Sequence, residues 1–146
     1  MALPIQILSI PETLRLKFQL EANGSGGDEV CAVLTGKAEN FSGQVDEVRM
    51  IHNIAEKAER GFIMDPKQFL EAVMDTNLYE MPYKTQYMGI VHSHYFDRAF
   101  PSIADWSGAI SGLYHGPYLI YSVIHEEWNG FYWNGNEFLK MELMFT

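Results

Sequence analysis

The chain has 146 residues, 47% of them apolar, which is the size of one ordinary domain with enough apolar side chains for a core. Its formal net charge of −9 argues against a nucleic-acid partner and against an anionic membrane surface, since both need a basic protein face. The sequence shows no membrane-length apolar run, no secretory signal pattern and a single cysteine, so we expect a cytoplasmic protein without an internal disulfide.

The first part of the chain predicts a short strand, a helix and two longer strands. Residues 4–9 favour the short strand, and residues 11–22, followed by Asn-Gly, favour the helix. Residues 29–36 and 44–54 are apolar and β-branched enough to predict the two strands. Glu29 therefore begins a largely apolar strand, where an isolated acidic residue is most often a solvent-exposed strand end.

The second part of the chain alternates between helical and strand patterns. The predicted elements are a helix that begins at Asp65-Pro66, a buried strand at 87–91, a helix at 102–114, an apolar strand at 118–124 and a hairpin of 128–133 with 137–145. This alternation predicts one α/β domain over residues 1–146, a mixed sheet of about five to seven strands flanked by helices.

Two histidines follow the buried strand at 87–91. Residues two apart on a strand point to the same side, so His92 and His94 are predicted to project together. Ser102 and Asp105 follow with the spacing of a helix capping box. These histidines could be ordinary strand residues, and Ser102 and Asp105 could be only a cap. Together, however, two imidazoles and a carboxylate form a three-ligand metal site with a position left for water.

A metal site of this kind favours hydrolysis. Zinc lowers the pKa of its water toward ~7, and a carboxylate outside the ligand set then has to move the proton. Glu29 is the best candidate for this base, because its strand is expected to lie beside the strand that carries the histidines. The hydroxyl of Ser102 lies near Asp105 in sequence and could stabilise the oxyanion on the attacked carbonyl.

The motifs resemble those of the JAMM (MPN+, Mov34/PAD-1) metalloprotease family. Residues 92–105 read H-S-H-x7-S-x2-D, and residues 29–36 read E-V-C-A-V-L-T-G, close to the E-x-C-G-x-L-x-G strand of that family. The resemblance implies a cytidine-deaminase-like fold, with Glu29 as general acid/base and Ser102 as a stabiliser of the tetrahedral intermediate. It also implies one catalytic zinc per chain, bound by His92, His94 and Asp105.

The resemblance further implies a substrate and partners. Its members hydrolyse a peptide or isopeptide bond, usually just after the C-terminal Gly-Gly of ubiquitin or a ubiquitin-like protein. Small prokaryotic members are associated with ubiquitin-like sulfur carriers, and paired domains make a homodimer possible. Two positions depart from the family pattern: Tyr95 stands where a proline follows the second histidine, and Ala32 stands where a glycine is usual.

Three other functions compete with a zinc hydrolase as explanations of this sequence. A catalytically silent MPN-like binding or scaffold module would be expected to have lost the motif, which this chain retains. A two-histidine, one-carboxylate iron oxygenase is disfavoured by the helix predicted after the histidines. A nucleobase deaminase needs two cysteine ligands, which a single cysteine excludes.

Overall fold

The computed structural model describes residues 4–75, 85–112 and 114–146, and within them three helices and seven strands. In chain order these are β1 (Ile7–Ile10), α1 (Glu12–Asn23), β2 (Cys31–Glu39), β3 (Ser42–Ile51), α2 (Pro66–Asp75), β4 (Gln86–His94), α3 (Ile103–Ile110), β5 (Gly116–Ser122), β6 (Glu127–Trp133) and β7 (Phe138–Phe145). In this described part of the chain, no helix combines the length and the apolar character needed to cross a membrane.

The strands form one mixed sheet in the order β1-β3-β2-β4-β5-β6-β7. The α/β fold with a mixed sheet and flanking helices is confirmed. The sheet also closes into a barrel, because β1 pairs in parallel with both β3 and β7. This closure was not predicted, since pairing between the two ends of a chain leaves no mark on the local pattern. The β6–β7 hairpin lies where the sequence predicts it.

Side chains on the two faces of β2 enter two separate apolar cores. Ala32 and Leu34 pack in the first core, with Phe18 of α1. Cys31 and Val33 point the other way, into the second core. The side chains of this strand therefore alternate between the two cores. Burial also raises the pKa of the Cys31 thiol to about 12, in keeping with an unreactive core residue.

A bulge at Gly89 sets the direction of the side chains at the end of β4. The register between β4 and β2 shifts by one residue here, and Gly89 has φ +114°. Met88 consequently packs in the first core, whereas Ile90 packs in the second. A Cβ at position 89 would lie 2.1 Å from the carbonyl oxygen of Pro117. Only glycine therefore fits this turn of the strand.

Among the predicted boundaries that differ from the structure, the ends of α3 and β4 bear most directly on the two histidines and the helix that follows them. Helix α3 ends at Ile110 rather than near 114, because Gly112 adopts φ +81° and the chain leaves the helix. Residue 113 of that prediction lies outside the described residues. Strand β4 is longer than predicted and runs on to His94, so both histidines lie within the strand rather than beyond it.

Candidate metal centre

Two histidine side chains meet at the end of β4, which lies between β2 and β5 in the sheet. His92 is completely buried and His94 is 3% exposed. Their Nε2 atoms are 3.2 Å apart, so the two rings converge on one point as the spacing predicts.

The N-terminus of α3 delivers a carboxylate to the same point. The Oγ of Ser102 accepts a hydrogen bond from the Asp105 N–H at 3.1 Å, and Asp105 Oδ2 accepts one from the Ser102 N–H at 2.8 Å. This is a complete capping box. Asp105 Oδ1 lies 3.0 Å from His92 Nε2, and Oδ2 lies 3.1 Å from His94 Nε2. The cap thus fixes a side chain that also contacts both imidazoles.

Tyr118 of β5 holds the same carboxylate, and sequence reasoning missed this residue. Its hydroxyl donates a 2.8 Å hydrogen bond to Asp105 Oδ1. The ring also packs edge-on against His92, with centroids 5.0 Å apart. The available signal was a tyrosine at the start of a predicted apolar strand, since a buried phenol needs a hydrogen-bond partner.

The two histidine rings are held in different ways. His94 Nδ1 lies 2.8 Å from the carbonyl oxygen of Arg98. A carbonyl can only accept, so Nδ1 carries a proton and Nε2 is the ring atom that faces the site, where it can bind a metal ion once its own proton is released. His92 is instead stacked on Phe62, with centroids 4.5 Å apart, and its buried Nδ1 has no hydrogen-bond partner among the described residues.

Glu29 lies beside the histidines, two residues before β2 begins rather than within it. Each of these three side chains offers a ligand atom, and the three atoms lie within 4.8 Å of one another. Glu29 is only 7% exposed, and its Oε1 has no hydrogen-bond partner among the described residues. Its backbone is fixed by Asn53, whose Nδ2 donates to the Glu29 carbonyl at 2.9 Å, and by a 2.7 Å bond to the Ala58 carbonyl. The Glu29 carboxylate thus lies buried beside the two histidines, with its Oε1 unpaired among the described residues.

The serine between the histidines explains why Glu29 and the histidines meet. Ser93 Oγ accepts a hydrogen bond from the Val30 N–H, and the Ser93 N–H donates to the Val30 carbonyl, both at 2.9 Å. These bonds extend the β2–β4 pairing, in which Cys31 faces His92, by one more step toward Glu29.

The electrostatics of the cluster favour a positive charge between the imidazoles and the carboxylate. Burial alone would raise the pKa of Asp105, but the charge of His92 and hydrogen bonds from both rings hold it well below its usual range. Burial lowers the pKa of His94, yet the hydrogen bond to Asp105 and its charge raise it overall to about 9. Burial raises the pKa of Glu29. A divalent cation satisfies the same charge pattern as these protons.

The donor spacing fits a tetrahedral metal ion. Bonds of ~2.0–2.1 Å to zinc place neighbouring ligand atoms about 3.3 Å apart. The contacts among His92, His94 and Asp105 are 3.0 to 3.2 Å. Glu29 is the second carboxylate that could complete the set, but Asp105 is the one in direct contact with both rings. The residues therefore fit an ion held by two imidazoles and one carboxylate, with Glu29 beside it.

An open cavity of about 460 Å³ is lined in part by Glu29, although not by His92, His94 or Asp105. Its volume is within the ~300–1,000 Å³ typical of ligand pockets. Its charged lining residues are Glu21, Asp28 and Glu29, so this side of the site is acidic. The remaining histidines, at positions 52, 115 and 125, are exposed.

Comparisons with known proteins point to one family. The sequence model of the family described as prokaryotic homologs of the JAB domain matches residues 11–134. The solution structure of protein DSY2949 from Desulfitobacterium hafniense is similar, with a TM-score of 0.79 and 22% identity over 95% of this chain and 92% of that one. The crystal structure of AF2198, a JAB1/MPN domain protein from Archaeoglobus fulgidus, has a TM-score of 0.56 and 19% identity over 93% and 98% of the two chains. At these identities the two structures show the fold alone, and no curated protein matches the sequence.

Proposed function

The chain belongs to the family of prokaryotic homologues of the JAB domain, and from this premise we propose that it is a zinc-dependent hydrolase. Its proposed reaction is cleavage of a peptide or isopeptide bond after the C-terminal Gly-Gly of a ubiquitin-like or sulfur-carrier protein. One observation carries this proposal: His92, His94 and Asp105 converge to within 3.0–3.2 Å in a buried place, beside the unpaired carboxylate of Glu29.

His92, His94 and Asp105 would hold the ion. When bound, zinc supplies a Lewis acid for the substrate carbonyl and lowers the pKa of a coordinated water toward ~7. The protein's contribution is to keep the ligands in place: the Arg98 carbonyl fixes the tautomer of His94, and the Tyr118 hydroxyl fixes the orientation of Asp105.

Glu29 is the proposed general acid and base. It takes the proton released as water attacks the carbonyl, and it returns this proton to the departing nitrogen. Two features suit it to this task. Burial raises its pKa, which helps the side chain to keep the proton between the two steps. Its Oε1 is not engaged in a hydrogen bond with any described residue, so the carboxylate is available.

Ser102 is the proposed donor to the oxyanion of the tetrahedral intermediate. In the capping box its Oγ accepts a hydrogen bond from the Asp105 N–H. A hydroxyl has one donor in addition to its acceptor lone pairs, so the O–H can still donate while the cap is intact. A donor that is already positioned before the reaction is worth ~10²–10³ in turnover in other oxyanion sites.

A substrate ending in two glycines suits the burial of the site. The reacting carbonyl must approach side chains that are 0% to 7% exposed, namely His92, His94, Asp105 and Glu29. A segment without side chains can approach such residues more closely than any other segment of a polypeptide. The cavity that Glu29 helps to line is the proposed route by which that segment would reach the site.

The test is a cleavage assay with zinc-loaded protein. Ubiquitin-like carriers that end in Gly-Gly and carry a short peptide extension or a lysine-linked adduct are incubated with it, and the products are identified by mass. We expect a mass that corresponds to hydrolysis directly after the second glycine. Glu29→Gln should retain zinc but lose turnover, by analogy with the ~10²–10⁴-fold contribution of a general base. Glu39→Gln, which changes an exposed glutamate at the opposite end of β2, is the matched control.

Two outcomes would overturn the proposal. Normal turnover by Glu29→Gln would show that Glu29 is not the base. Zinc-loaded wild-type protein that binds a carrier without cleaving any of these substrates would support the non-catalytic binding module instead.

A further inference from the structure

The loop of residues 95–101 connects the two halves of the metal centre. It begins directly after His94 and ends at the N-cap of the helix that carries Asp105. Its first residue is Tyr95, which lacks the ring that restricts φ in proline. Hydrogen bonds to the neighbouring strands hold the course of this loop instead.

Three side chains from the β5–β6 region supply these bonds; we refer to Ser122, Glu127 and Asn129 as the loop clamp. Ser122 Oγ donates to the Asp97 carbonyl at 2.6 Å. Glu127 Oε1 accepts from the Ala99 N–H, and Asn129 Nδ2 donates to the Ala99 carbonyl, both at 2.9 Å. The backbone is thus held on both sides of residue 98.

Residue 98 is the point at which the loop contacts the metal centre. Its carbonyl accepts the 2.8 Å hydrogen bond from His94 Nδ1. The Arg98 side chain points back to the clamp, where its Nε donates to Glu127 Oε1 at 2.9 Å and its guanidinium makes a second bond to the same carboxylate. Glu127 therefore binds both Arg98 and its neighbour Ala99, although it does not touch His94.

We propose that the loop clamp positions His94 by holding the Arg98 carbonyl against Nδ1. This bond keeps the proton on Nδ1 and directs the Nε2 lone pair toward the ion. The identity of that ion rests on the proposed function, whereas the orientation of the ring does not. His92 serves as an internal comparison, because its ring is stacked on Phe62 and packs edge-on against Tyr118 rather than being held by the loop.

The decisive variant is Glu127→Ala, which removes the acceptor for both Arg98 and Ala99. Two quantities are measured in the full-length protein. The first is the imidazole N–H signal of His94 in the metal-free protein, followed by nitrogen-15 NMR together with its exchange with solvent. The second is the zinc dissociation constant, obtained by competition with a chromophoric chelator.

We expect Glu127→Ala to speed exchange of the His94 Nδ1–H and to raise the zinc dissociation constant about tenfold, the lower end of the range for outer ligand partners. Glu127→Gln keeps an oxygen acceptor and should restore most of both properties. Asp75→Ala is the control, because it breaks another exposed arginine–carboxylate pair, with Arg49, away from the site. The His92 ring signals should change less than those of His94 in all of these variants, because His92 contacts the loop only through His94 and Asp105.

The proposal is overturned if Glu127→Ala leaves both the His94 signal and zinc affinity as in wild type. It is also overturned if Asp75→Ala shifts them equally, since the effect would then follow general stability. Asn129→Ala and Ser122→Ala each remove a single bond to the loop and decide the question should Glu127→Ala fail to fold. Failure of the proposed function gives a different result: wild-type protein would bind no zinc, while the NMR readout would still report on the clamp.

Discussion

Tyr118→Phe isolates the contribution of one hydroxyl to the metal centre. The substitution keeps the aromatic ring, and therefore its packing against His92 and Phe138. It removes only the 2.8 Å hydrogen bond that the phenol donates to Asp105 Oδ1. Because Asp105 is 3% exposed, water cannot easily replace the missing donor.

The size of the effect follows from the charge of the acceptor. A hydrogen bond to a charged group contributes about 1.5–3 kcal/mol, against about 0.5–1.5 kcal/mol for a bond between neutral groups. The carboxyl of Asp105 keeps its charge, because neighbouring histidines hold its pKa well below the usual range. We therefore expect the free energy of unfolding of the metal-free protein to fall by about 1.5–3 kcal/mol. The zinc dissociation constant should rise ~10–100-fold.

Tyr121→Phe is the matched control for this experiment. Tyr121 lies on the same strand, is 1% exposed, and donates a 3.0 Å hydrogen bond to the neutral side chain of Asn23. Its loss should lower the free energy of unfolding by only about 0.5–1.5 kcal/mol and leave zinc affinity unchanged. Urea denaturation gives the stabilities, and chelator competition gives the affinities. The reasoning is refuted if the two variants are equally destabilised and equally able to bind zinc.

Two further predictions concern the bulge in β4 and the loop clamp. Gly89→Ala would combine φ +114° with a Cβ 2.1 Å from the Pro117 carbonyl oxygen, so the free energy of unfolding measured by urea denaturation should fall by more than ~2 kcal/mol. Gly112→Ala, where φ is +81° but the added Cβ meets open space, should lower it by less. Equal losses of stability in the two variants would contradict this account. Hydrogen bonding to Arg98 lowers the pKa of Glu127 to about 2 from 4.5, so this pair stabilises the fold fully above pH 4.5 and loses its contribution as the pH falls toward 2. The difference in free energy of unfolding between wild type and Glu127→Gln, measured by urea denaturation at several pH values, should accordingly shrink between pH 4.5 and about 2. A difference that stays constant with pH would show that the carboxylate is not the titrating group.

The part of the site that could be predicted is the part encoded locally. The alternation of a strand places His92 and His94 on one side, and the spacing of a capping box places Asp105 in the first turn of the next helix. Each of these two spacings covers only two or three residues, so it can be read directly from the sequence. Their meeting with Glu29 was expected from neighbouring strands, and β2 and β4 are indeed paired.

The residues that support the site could not be predicted in the same way. Tyr118 reaches Asp105 only because β5 pairs in parallel with β4, and such a pairing joins segments separated by a helix. Glu127 lies 29 residues from Arg98, and nothing in the local pattern relates them. Sequence periodicity also treats Gly89 as an ordinary strand residue, whereas its positive φ shifts the faces of β4.

The same distinction between local and long-range features applies to the overall fold. The helix and strand patterns predicted an α/β domain with a mixed sheet, and the structure has one. Closure of the barrel depends on contacts between residues 7–10 and 142–145, which are far apart in the chain. The early end of α3 depended on which glycine would adopt a positive φ, since Gly112 and Gly116 both do. Propensity alone could not choose between them.

The zinc content of the purified protein tests the central claim most directly. Protein prepared without chelators is analysed by elemental mass spectrometry, next to His94→Ala and to His125→Ala, which changes an exposed histidine away from the cluster. The account predicts one zinc per chain for wild type and His125→Ala, and close to none for His94→Ala. Wild-type protein that takes up no zinc even when it is supplied, or His94→Ala that retains a full equivalent, would contradict it.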